Sequence, residues 1–148
     1  MLMGLLLALS LLPTDDVSKT AQGAQALSGK WDLHLATDGK LLLNQGNIFV
    51  TISDQKIAWT KLPYFTDEKG ECKLTVDPSK SPSTIELKVG DKVYKGIYRL
   101  RPAKNGRSEQ LDLLFATKGS DFPKAFGASE LELPKEFTGV LFMAARIK

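Results

Sequence analysis

Residues 77–100 read DPSKSPSTIELKVGDKVYKGIYRL, and the fold is decided there. Pro78 and Pro82 lack an amide hydrogen and hold φ near one value, so residues 77–82 form a loop rather than helix interior or a central strand. From Ser83 the pattern alternates. Ile85, Leu87 and Val89 fall on one side and Thr84, Glu86 and Lys88 on the other, as a strand with one wet face requires. Gly90-Asp91 supplies a tight turn. The returning strand sets Tyr94, Gly96, Tyr98 and Leu100 on one face and Val93, Lys95, Ile97 and Arg99 on the other, and the aromatic face is predicted to point inward. Gly96 suits a bend, or a point where a bulky neighbour lies across the backbone.

The same two-residue period runs outward in both directions. Trp31, Leu33 and Leu35 share a face opposite Asp32 and His34, and Asp38-Gly39 is a hairpin signal. Ile48, Val50 and Ile52 repeat the alternation, Ser53-Asp54-Gln55 turns the chain, and Ile57 and Trp59 return it. Leu62-Pro63-Tyr64-Phe65 ends that strand before the polar turn at Asp67-Glu68-Lys69-Gly70. Cys72, Leu74 and Val76 lead into the 77–82 loop. Beyond the central hairpin come a polar connection tipped by Asn105-Gly106, a strand carrying Leu111, Leu113 and Phe115, a long irregular segment at 118–136, and a last strand from Thr138 to Ile147. About eight or nine short strands separated by turn signals predict an all-β antiparallel sandwich or barrel, and a barrel also removes exposed sheet edges.

The N-terminal run MLMGLLLALSLLP, residues 1–13, is apolar and uncharged. A bilayer-crossing helix needs about 20 residues, so the run fits the apolar region of a secretory signal better than a membrane span. Export is the expectation, with no stable membrane span after signal removal. The competing reading is a buried N-terminal helix in a cytoplasmic protein. Residues 14–28, with Thr14 or Asp15 able to cap, read as a short helix or linker ended by Gly29. A single barrel domain is expected over 29–148, about 120 residues, long enough to bury roughly two-thirds of its unfolded surface.

Charge and cysteine content narrow the function classes. Charged residues make up 25% of the chain and the net charge is only +3, with both signs interleaved, which argues against nucleic acid as a partner. One cysteine, Cys72, excludes an intramolecular disulfide and a multi-cysteine metal site. It shares a face with Leu74 and Val76 and reads as a small buried apolar residue. His34 is the only histidine, and metal or Ser/His chemistry needs further partners. Ser79-Lys80-Ser81 lacks an accompanying oxyanion-stabilising element. Asp67, Glu68 and Glu71, and likewise Glu130 and Glu132, read as solvated turn and strand faces. No enzyme, metal or cofactor is expected.

Two groups of residues carry a family resemblance. Gly29-Lys30-Trp31 with Arg146 near the end of the last strand resembles the lipocalin, or calycin, arrangement. There a Gly-x-Trp opens the barrel and a basic residue from the closing strand packs over the indole, a contact worth about 0.5–2 kcal/mol. The resemblance implies that Gly29, Trp31 and Arg146 close the barrel structurally. In addition, Leu27-Ser28-Gly29-Lys30-Trp31, then DPSKSPSTIEL at 77–87, YKGIY at 94–98 and Pro123-Lys124-Ala125-Phe126, in that order, resemble an uncharacterised, often exported, lipocalin-like domain family abundant in planctomycete bacteria. The likeness covers about residues 18–148. It implies an antiparallel lipocalin-like barrel with a short N-terminal helix and a periplasmic or extracellular location, and it implies no established activity.

Function then turns on the aromatic residues. Trp31, Trp59, Tyr94, Tyr98, Phe115 and Phe142 all fall on faces that could point inward, and an eight-stranded barrel is just wide enough to be filled by side chains or to hold one small ligand. Trp59, Tyr94 and Tyr98, with Phe115, are the expected contacts of a small, largely apolar ligand, the two tyrosine hydroxyls serving as polar handles. The alternative is a filled barrel acting on a protein partner, as an interaction or inhibitor module, through the loops at 62–70 and 118–136.

Overall fold

Alternation of inward and outward side chains, repeated with short turns, closes this chain into a barrel. The computed structural model describes residues 23, 25–40, 42–43, 47–53, 55–118, 121–129 and 132–148. The apolar run at 1–13 and most of the 14–28 segment lie outside the described residues. A helical turn at 25–27 leads into β1 (Gly29–Thr37), β2 (Leu42–Leu43), β3 (Phe49–Ser53), β4 (Lys56–Trp59), β5 (Gly70–Asp77), β6 (Ser83–Val89), β7 (Lys92–Arg101), β8 (Gln110–Ala116) and β9 (Gly139–Arg146). Every pairing is antiparallel. β1 and then β3 to β9 follow one another around the sheet, and β1 also pairs with β9, so eight strands form a closed ring with β2 appended to the end of β1. The architecture is that of a lipocalin-like barrel. No described helix is long and apolar enough to cross a membrane.

The hairpin predicted over 83–100 is present, with Val89 opposite Lys92 and Ser83 opposite Tyr98. Gly90 turns the chain at φ 61°, the left-handed region a two-residue hairpin turn requires. Gly96 lies opposite Phe115, and a Cβ there would stand 2.6 Å from the Phe115 ring and 2.7 Å from the Leu114 carbonyl. The missing side chain admits a bulky neighbour.

The interior face carries Leu33, Ile52, Ile57, Leu74, Leu87 and Leu111, each at most 2% exposed. β1 corrects one expectation. Leu33 pairs with Ala144 but Leu35 pairs with Met143, so His34 is an extra residue, a β-bulge. The bulge reverses the alternation. Ala36 joins the interior, whereas Leu35 turns outward. There it meets a second, smaller core in which Ile97, Leu114, Leu141 and Met143, all on the outer wall of β7, β8 and β9, are covered by Phe126, Leu133 and Phe137. The irregular segment after β8 therefore acts as a cladding, which explains why β8 and β9 are apolar on both faces.

Cys72 is buried in the interior. Burial, partly offset by a backbone hydrogen bond from Lys88, pushes its thiol up to about 11 from an ordinary 9.0. The thiolate fraction at pH 8 falls accordingly, so native Cys72 is expected to react with a disulfide reagent about 100-fold more slowly than a free thiol, with unfolding in denaturant abolishing the difference. A neutral thiol buried this way contributes stability that is complete below pH 9 and is lost as pH rises through about 11.

Candidate functional site: the two ends of the barrel

One end of the barrel holds the N-terminal turn and both Gly29 and Arg146. Trp31 is fully buried, and its indole N–H donates to the Leu27 carbonyl at 2.9 Å. The Arg146 guanidinium lies 4.3 Å from the Trp31 ring. It also donates to the carbonyls of Ser28 and Ala26 and pairs with Glu109 at 3.2 Å. Gly29 sits at φ 134°, and a Cβ on it would come within 2.6 Å of that guanidinium. Only glycine leaves room for the arginine to cross from β9 to the helical turn. Leu27, with no exposed surface, stoppers this end.

Tyr98 belongs to the same half of the barrel. Burial raises its hydroxyl's pKa, opposed by a hydrogen bond to the Ser83 side chain, with the negative charge of Asp77 raising it further. It borders a surface groove of about 620 Å³ together with Leu27, Pro78, Pro82, Leu100 and Phe126. Four residues along β7 put it about 13 Å from Tyr94. The two tyrosines therefore do not share a pocket, and the space between them at Gly96 is taken by Phe115.

The opposite end is aromatic. Phe65, from the β4–β5 loop, lies 4.4 Å from Tyr94 between ring centroids, 5.8 Å from Phe115 and 5.6 Å from Phe142. Its planes are tilted 33° to Tyr94 and stand near edge-on to Phe115 and Phe142, at 76° and 62°, the arrangements that ring quadrupoles prefer. Trp59 marks the root of the loop. Its indole N–H donates to the Glu68 carbonyl at 3.0 Å, and Gly70 packs beneath its ring. No family model, curated protein or solved structure matches the chain significantly.

Of the four expected ligand contacts, Tyr94 and Phe115 meet at this end through Phe65, Trp59 ties down the covering loop, and Tyr98 stands at the other end. Phe65 and Phe142 complete the cluster. The signal for Phe65 was the presence of Tyr64-Phe65 within a Pro- and Asp/Glu-rich turn: two aromatic residues in a loop otherwise polar have a face to cover. Tyr64 projects from that loop, 37% exposed, at φ 70°. Burial and then the charge of Asp38 push its hydroxyl up, while a hydrogen bond from the Asp38 backbone opposes them. The loop thus reaches across the barrel end to the β1–β2 turn.

Proposed function

We propose that the protein is a non-enzymatic, exported, lipocalin-like domain, related to the planctomycete family that it resembles, which takes a small, largely apolar ligand at the aromatic end of its barrel. The observation that carries this reading is the four-ring cluster of Phe65, Tyr94, Phe115 and Phe142, roofed by a loop rather than by a strand. An apolar site with a few polar groups at its rim is the usual composition of a small-molecule pocket. Native mass spectrometry of protein taken from its own periplasm tests it. The expected result is an adduct of a few hundred daltons, on the scale of small-molecule pockets, lost on denaturation. A bare polypeptide mass, with no apolar probe bound afterwards, would overturn it.

A second reading, a filled barrel acting on a protein partner, draws on Leu42 and Tyr64, exposed by 51% and 37% at the same end. Leu42 pairs with Thr37, next to the Asp38 whose backbone Tyr64 meets. Co-purification of a protein that is released by Leu42→Ser and Tyr64→Ser would favour it.

A further inference from the structure

We infer that Phe65 holds the ligand's place: the roofing loop, residues 61–69, is a strap, and an aromatic ring of about phenyl size binds where the Phe65 ring now sits once the strap lifts. The inference rests on the binding reading above and adds to it the ligand class and the route of entry.

Much of the strap's bonding is internal. Leu62 N–H donates to the Thr66 carbonyl at 3.0 Å, Thr66 N–H returns to Leu62 at 2.8 Å, and Phe65 N–H donates to Leu62 at 3.0 Å. Glu68 N–H is met by the Thr66 hydroxyl at 3.1 Å, and Lys61 pairs with Asp67 at 3.3 Å. All these partners move together, so lifting the strap leaves its internal bonds and the barrel's strand ladders intact. Its ends are fixed. Thr60 is bonded twice to Phe49 of β3, at 3.0 Å each, and Gly70 begins β5 under the Trp59 ring.

Between those ends, the strap is held down by the Trp59 indole on Glu68 at its root, the Asp38 backbone on Tyr64 at its tip, the Phe65 ring inside and the Leu62 side chain, which is 3% exposed in the barrel core. Tyr64 at φ 70° is the residue that makes this possible. A left-handed backbone there is unfavourable for a tyrosine, and it turns Tyr64 outward to its latch and Phe65 inward to the barrel. The edge-on rings of Phe115 and Phe142 and the tilted ring of Tyr94 form a seat shaped for an aromatic face and edge. The seat is filled by the chain itself, so the apparent affinity of any ligand is reduced by the fraction of time that the strap is open.

Titration of the full chain with N-phenyl-1-naphthylamine, a neutral aromatic whose fluorescence rises in apolar surroundings, tests this. Saturable binding to the unaltered protein is expected. Tyr64→Phe removes the tip latch and should tighten binding about 5-fold, the factor that the net worth of one hydrogen bond supports. Phe65→Ala should tighten it at least 10-fold, and Phe65→Trp, a larger plug, should weaken it by a similar factor. If Phe65→Ala does not fold, Tyr64→Phe and Phe65→Trp carry the test. Saturable binding changed less than 2-fold by all variants would overturn the strap while leaving a binding domain with its site elsewhere. Binding only by Phe65→Ala would overturn it too, since Phe65 would then be ordinary core. No binding by any of the four proteins would sink the barrel-binding reading together with the strap.

Discussion

Replacing Arg99 and Arg101 together by methionine is expected to lower the melting temperature by about 6–20 °C, the span corresponding to a loss of roughly 3–5 kcal/mol in a domain of this size. Asp112 points outward from β8 yet has no exposed surface. Arg99 reaches one carboxylate oxygen at 2.7 Å and Arg101 the other at 3.0 Å. Both arginine side chains remain about a third exposed, at 39% and 30%, so the buried partner is the carboxylate, and it is the group left stranded when they go. Removing the charge it was built around should restore much of the loss. Adding Asp112→Leu to the double variant is expected to recover at least half of the lost melting temperature, because an ion pair replaced by apolar groups is often close to neutral. A triple variant no more stable than the double would show that the arginines act through packing instead. Arg99 also lies 4.2 Å from the Phe126 ring, so this network pins the cladding segment. Hydrogen exchange across 121–129 should accelerate in the double variant even where circular dichroism remains native.

The second large effect is expected at the stoppered end. Trp31→Ala should cost about 3–5 kcal/mol, the range for deleting a large buried aromatic, which is a large share of the roughly 5–15 kcal/mol typical of a folded domain. Arg146→Met keeps most of the stem that covers the indole and removes the charge. It should cost about 2–4 kcal/mol, from the lost cation–π contact and from the bonds to the Ser28 and Ala26 carbonyls. The two losses share one contact, so the double variant should lose less than their sum. Strictly additive chemical-denaturation energies would show that the stacking at 4.3 Å couples nothing.

Much of the barrel was legible because a two-residue period survives in short windows. Ile85 and Leu87, Leu74 and Val76, and Leu111, Leu113 and Phe115 each announce an inward face without reference to the rest of the chain, and glycine, asparagine and aspartate mark the turns between them. Proline at 78 and 82 and glycine at 90 state where the chain must bend. Local rules suffice for such features because backbone geometry alone sets the period of a strand and the φ of a turn.

Three features needed the tertiary structure. The bulge at His34 leaves no mark in composition: Trp31, Leu33 and Leu35 alternate in the sequence, and only pairing with β9, more than a hundred residues later, inserts the extra residue that sends Leu35 outward. The outer core is hidden for a related reason. Leu114, Leu141 and Met143 announce a face to be covered but not by what, and Phe126, Leu133 and Phe137 find it through a stretch with no regular period. At the candidate site, alternation put Tyr94 and Tyr98 on one face, which is true of the strand and says nothing about depth. Two residues on one face of a strand can serve opposite ends of a barrel, and the ring that fills the space beside Tyr94 came from a loop whose side-chain directions no period describes. Strands, turns and the faces of unbulged strands follow from neighbours in the chain. Closure, cladding and the contents of the aromatic end were decided by contacts between distant residues, where shape and volume rather than periodicity select the partner.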